Sequence, residues 1–136
     1  MRTDRLRTNQ LSPEAYRWYL DYLCAMDRKD LDAYGAFLAE GCAMRMNNAA
    51  PTVGKAAVLQ ALGAYWQSFG GIEHDLDNIY GDDRRFALEA LNHYRRLDGG
   101  GGATPRAVAF TDRDEAGLVT SVRLYTDTGP LFAPEG

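Results

Sequence analysis

A chain of 136 residues is long enough for one domain with its own core and too short for two. Its composition, 46% hydrophobic and 25% charged, is that of a globular domain and excludes a disordered chain. A net charge of −4 and a pI near 5.1 argue against a nucleic-acid partner, which requires a basic footprint.

Residues 1–11 are polar and read as a flexible arm, with Arg2, Arg5 and Arg7 in solvent. Thr8, Asn9 and Gln10 stand where a secretory leader would be apolar. No window approaches the roughly 18 apolar residues of a membrane span. Cys24 and Cys42 lie among apolar neighbours at no metal-binding spacing, so both are expected as buried, reduced thiols and the protein as cytoplasmic. The globular domain is expected over 12–132, with 133–136 as a tail.

Ser12-Pro13-Glu14 opens a helix: Ser caps, Pro takes the first helical position and Glu sits in the first turn. Tyr19, Tyr22, Leu23 and Met26 then form one apolar stripe up to Asp27. Asp30 caps a second, short helix carrying Leu31, Tyr34, Phe37 and Leu38, which Gly41 ends. Residues 42–47 read as a strand. A third helix is predicted over 55–69, with Val58, Leu62, Tyr65, Trp66 and Phe69 inward and Gly70-Gly71 as its stop. The remainder is strand-like: 72–80, 84–96, 106–111 and 118–127. Gly81-Asp82-Asp83 joins the first two as a hairpin, and Gly99–Gly102 forms a loop. Helices followed by a meander of strands predict an α+β domain, with about three N-terminal helices on one face of a curved antiparallel sheet.

This order resembles the cone of the nuclear transport factor 2-like superfamily, and local patterns point to its SnoaL-like branch. Asp21 to Asp32 is similar to the helix–turn of ketosteroid isomerase and SnoaL-like proteins, where a turn ending in Asp-Leu-Asp starts the second helix. Gly54-Lys55-Ala56-Ala57-Val58 resembles the family's opening of the third helix. Leu118 to Asp127, followed by Pro130-Leu131-Phe132, resembles its closing strand. The resemblance covers roughly 14–132 and implies a pocket between the helices and the concave sheet face.

It also implies where catalytic groups would stand. Counted from Asp30, the donor tyrosine of ketosteroid isomerase falls on Tyr22. Its base falls on Met46 and its second donor near Val108. The closing-strand aspartate of SnoaL-like cyclases and limonene epoxide hydrolase falls on Leu124. The hydrolase's earlier Arg and Asp fall near Ala90 and Asn92. Steroid isomerisation by the first set is therefore rejected, and epoxide hydrolysis by the second is unsupported. Asp127 shares a strand face with Arg123 and Tyr125, opposite Leu124, and is expected outside the pocket unless a bulge turns it inward.

The alternation of the strand after the third helix puts Ile72, His74, Leu76, Asn78 and Tyr80 on the inner face. Histidine is the side chain suited to proton transfer near neutral pH, so His74 is the candidate general acid or base. Tyr22 is the candidate oxyanion donor, with His74 or a ligand oxygen as its partner. Asn92, Tyr94, Met44, Met46, Trp66 and Leu124 are expected to contact substrate, and His93 to be exposed. No phosphate loop or metal-ligand spacing occurs, so no cofactor or metal is expected.

Two functions remain open. One is a cofactor-free isomerase, cyclase or dehydratase acting on a small hydrophobic or aromatic molecule. The other is a non-catalytic binding or dimerisation domain of the same fold, pairing as a homodimer through the outer sheet face around Leu91, His93, Arg123 and Tyr125.

Overall fold

Both predicted caps close in the computed structural model, which describes residues 1–133. Residues 134–136, most of the expected tail, lie outside the described residues. In chain order the elements are β1 (Thr8–Asn9), α1 (Pro13–Asp27), α2 (Leu31–Gly35), β2 (Leu38–Met46), β3 (Thr52–Val53), α3 (Lys55–Trp66), β4 (Gly71–Gly81), β5 (Arg85–Arg95), β6 (Gly102–Ala103), β7 (Arg106–Arg113), β8 (Val119–Thr126) and α4 (Gly129–Phe132). The Ser12 hydroxyl accepts the Ala15 N–H at 3.2 Å at the start of α1, and the Asp30 carboxylate accepts the Ala33 N–H at 3.0 Å at the start of α2.

The strands form one curved sheet in the order β1-β4-β5-β7-β8-β2-β3, with β6 beside β5. The class is α+β. Two of the pairings, β1 with β4 and β2 with β8, are parallel, and the others are antiparallel. Tyr19, Tyr22 and Leu23 of α1, Tyr34 of α2 and Val58 and Trp66 of α3 pack with Leu76, Ile79 and Leu88 of the sheet in one core. Fully burying such a side chain contributes about 1.5–3 kcal/mol, so the helices are held by this face rather than by propensity.

Three expectations are corrected. Residues 1–11 are not a loose arm. β1 pairs with Asn78 and Ile79, the Arg2 N–H donates to the His74 carbonyl at 2.7 Å, and Leu11 is buried. The second helix stops at Gly35, because the Phe37 carbonyl accepts the Val119 N–H at 2.8 Å and Leu38 already pairs with Val119 in the sheet. The inner face of β4 changes residues at a bulge. His74 pairs with Asn92 and Leu76 with Ala90, but Asn78 then pairs with Glu89 and Ile79 with Leu88. One extra residue reverses the alternation, so Ile79 turns into the core while Asn78 bonds Glu89 and Tyr80 is exposed.

Beyond the bulge, the β4–β5 hairpin depends on Gly81. Its φ is +117°, and a Cβ there would stand 2.2 Å from the Arg85 carbonyl oxygen.

Candidate functional site

The inner face of the sheet and the buried faces of α1 and α3 enclose a cavity of about 90 Å³. A dry cavity of ~150 Å³ takes up benzene, so this smaller one sets a single ring as the upper limit for its occupant. The expected contact residues line it: Met44 and Met46 from β2, Trp66 from α3, Asn92 and Tyr94 from β5, and Leu124 from β8. Tyr22 of α1 and His74 of β4 line it as well. The strands contribute through their alternation, which sends Leu88, Ala90, Asn92 and Tyr94 of β5 inward together.

His74 sits on β4 before the bulge and therefore keeps the inward direction read from the sequence. Its Nδ1 lies 2.5 Å from Oδ1 of Asp27, the last residue of α1. The His74 N–H also donates to the Asp27 carboxylate, at 3.3 Å. Both side chains are largely buried, at 8% and 12% exposure. A carboxylate on Nδ1 fixes the tautomer with the proton there and leaves the Nε2 lone pair unused. Nε2 has no protein hydrogen-bond partner among the described residues, and the ring lines the cavity.

The sequence marks Asp27 only as the end of the first helix and does not single it out as a site residue. The usable signal was its place in the stripe Tyr19–Leu23–Asp27, a carboxylate prolonging a buried helix face by i, i+4 steps.

Tyr22 does not bond to His74, as the sequence reading had allowed. Its hydroxyl shares a 2.7 Å hydrogen bond with that of Tyr34, and both residues are buried on the cavity wall. Burial pushes both phenols far above the ordinary tyrosine range, so they are neutral donors and acceptors throughout the physiological pH range. A second pair, Tyr65 and Tyr94, is joined at 3.2 Å, and burial raises these phenols too. Asn92 contacts the Tyr94 hydroxyl. The Asn92 Oδ1 is buried and without any partner.

Other candidates lie elsewhere. Asp127 is exposed beyond the end of β8 and accepts the Gly129 N–H at 2.9 Å. His93 is on the outer face but is not free: its Nε2 is 2.8 Å from Asp75, and Thr104 stands at 3.3 Å from its Nδ1. Both cysteines are free; Cys42 is buried, and burial raises its thiol, while Cys24 is only partly covered. Among the described residues no three of His, Cys, Asp and Glu stand close enough to hold a metal ion, and no helix is long and apolar enough to cross a membrane.

Solved structures share this architecture. A candidate polyketide cyclase from Xanthomonas campestris pv. campestris is 28% identical, with 85% of this chain and 92% of that chain covered and a TM-score of 0.67. An epoxide hydrolase from M. tuberculosis, described as like limonene epoxide hydrolase, is 21% identical over 88% of this chain and 86% of that one, with a TM-score of 0.70. A Catenulispora acidiphila protein with a ketosteroid isomerase-like fold, in complex with trimethylamine, is 12% identical over 88% and 90%, with a TM-score of 0.74. No curated protein matches the chain. The model of the SnoaL-like domain matches residues 19–122, which run from the first tyrosine of the cavity wall to Val122 of β8, and the chain belongs to that family.

Proposed function

We propose that this protein is a cofactor-free acid–base enzyme of the isomerase, cyclase or dehydratase type, acting on a small hydrophobic or aromatic molecule held in the cavity. The observation that carries this reading is His74 on the cavity wall with Asp27 at 2.5 Å from its Nδ1. The Nε2 lone pair takes a proton from a C–H or O–H of the substrate. Asp27 stabilises the imidazolium that results, and the ring returns the proton to another atom of the same molecule or to a departing hydroxyl. Tyr22, whose hydroxyl is paired with that of Tyr34, donates to the oxygen on which negative charge develops. Met44, Met46, Trp66, Tyr94 and Leu124 supply the apolar wall, which removes water and strengthens these interactions. The candidate cyclase and the epoxide hydrolase among the similar structures support a catalytic use of the fold.

The test is deuterium exchange at the carbon next to the carbonyl of a compact cyclic ketone, 2-cyclohexenone, followed by NMR in D₂O. The wild type accelerates exchange over buffer, and His74→Gln loses ~10²–10⁴-fold of that acceleration. Binding of the ketone with no acceleration in the wild type would leave the second reading, a binding domain. Met46 and Leu124 favour that alternative, being apolar where the resemblance implies carboxylates. In either case the assembly we propose is a homodimer through the outer sheet face.

A further inference from the structure

The Asn92 side chain is 3% exposed, and its Oδ1 has neither a protein partner nor access to bulk water. Buried acceptors are almost always paired, and one left open in a cavity wall marks the place of a missing donor. Asn92 lies directly across the sheet from His74, and both side chains leave the sheet on the inner side. Directly opposed residues hold their Cβ atoms about 4.5–5.5 Å apart. The terminal torsion of an asparagine is soft, so a small rotation presents Oδ1 to an occupant.

We infer that the cavity selects a small hydroxylated molecule of about one ring. Its hydroxyl donates to Asn92 Oδ1, and the atom that exchanges a proton with His74 lies within a few bonds of that hydroxyl. This deepens the acid–base reading and rests on it for the role of His74. The hydroxyl preference itself rests on Asn92 alone. A carbonyl or ether oxygen in the same place would meet the amide oxygen lone pair against lone pair, so those groups are rejected at Asn92; a ketone such as 2-cyclohexenone sets its oxygen on Tyr22 instead and binds more weakly for want of the Asn92 contact. The remaining surface of the molecule faces Met44, Met46 and Leu124, which offer it only apolar contact.

The probes are phenol and toluene, which match in shape and differ by hydroxyl against methyl. A purely apolar cavity prefers toluene, because phenol loses more hydration on entry. Affinities are measured by calorimetry for the wild type, Asn92→Leu and His74→Gln, with thermal unfolding of each protein alone. The wild type binds phenol at least about tenfold tighter than toluene. Asn92→Leu binds toluene as well as phenol or better. It unfolds within a few degrees of the wild-type temperature, because the lost contact to the Tyr94 hydroxyl, which keeps its bond to Tyr65, is offset by replacing an unpaired acceptor with carbon.

His74→Gln keeps the phenol preference, which separates this inference from the catalytic reading: loss of exchange activity with the preference intact affects only His74's role. Equal binding of the two probes by the wild type, or a preference that survives Asn92→Leu and disappears in His74→Gln, overturns the inference. A large fall in the unfolding temperature of Asn92→Leu overturns it as well, because the amide would then be a structural group. Failure of both probes to bind the wild type removes the cavity as a ligand site, and both readings with it.

Discussion

An imidazole alone is a weak and undirected base; an imidazole with a carboxylate on Nδ1 has one tautomer and one reactive nitrogen. Asp27→Asn therefore separates geometry from chemistry at His74. Its amide still fits the space at the end of α1, but it can present an N–H to Nδ1 and favour the opposite tautomer. The ¹⁵N shifts of the neutral ring report this directly, as protonated Nδ1 in the wild type and mixed or reversed protonation in the variant. Ketone exchange is expected to fall by at least about tenfold in step with it; an unchanged tautomer would show that Asp27 does not orient the ring. The Tyr22–Tyr34 pair makes a different residue-scale prediction. Tyr34→Phe leaves a buried hydroxyl on Tyr22 without its 2.7 Å partner, at a cost of about 1–3 kcal/mol in urea unfolding. The double variant Tyr22→Phe, Tyr34→Phe removes both polar groups and is expected to be more stable than Tyr34→Phe alone.

At the scale of elements, β4 is held by Asp27 on its inner side, where the Met1 amine also meets Asp27 at 3.0 Å, and by the N-terminal residues along its edge and outer side. Arg5 reaches Asp75 and Asp77 at 3.3 Å each, and Arg2 reaches Glu73 at 2.6 Å. Burial alone would raise the Asp75 carboxyl, but hydrogen bonds from His93 and Arg5 outweigh it and hold the group below the usual carboxylate range. A depressed folded-state value stabilises the fold at pH above the unfolded value of ~3.9, and that contribution is lost as pH falls through the folded value. Asp75→Asn is thus expected to lower stability at pH 7 and to flatten the acid side of the stability profile. Urea midpoints at several pH values between 7 and 3 check this, and a profile as steep as the wild type would clear Asp75 of the role.

None of this clasp was legible in the sequence. β1 has two residues, too few for any periodicity, and its parallel pairing leaves no turn signal. The long elements were legible because local chemistry and tertiary packing agree there: the Ser12 cap and Pro13 open α1, and Phe86 to Tyr94 alternate without interruption. Asn78 and Tyr80 were assigned to the wrong face because a bulge reverses alternation without changing composition. At the site, the cavity-lining residues followed from periodicity plus the family resemblance. The Asp27–His74 contact joins residues 47 apart in sequence, and no spacing rule carries that information.

The whole molecule divides its sheet between two tasks. The inner face is closed over the cavity, while the outer face leaves Phe110 and Tyr125 each 40% exposed, with their rings packed edge to face and Arg123 over Phe110. Tyr125 is further tied by its hydroxyl to Arg45 at 3.0 Å. This makes a pre-ordered aromatic and guanidinium surface with little side-chain entropy left to lose on association. A two-fold axis over these strands would set the same patch against itself, the arrangement by which identical subunits close. If the proposed homodimer forms there, sedimentation of the wild type gives twice the 15.1 kDa of one chain. Tyr125→Glu then returns it to a single chain, because each dimer acquires two carboxylates at a contact that excludes water. Phenol binding is expected to stay within about twofold of wild type, since Tyr125 leaves β8 on the side away from Leu124 and reaches the cavity lining only through Arg45, whose guanidinium a glutamate at 125 can still hold. A wild-type mass of one chain at tens of micromolar would remove the assembly proposal and leave the cavity chemistry untouched. A Tyr125→Glu protein that is monomeric and no longer binds phenol would show instead that the two faces are coupled through the strand register Met46↔Leu124 and Arg45↔Arg123.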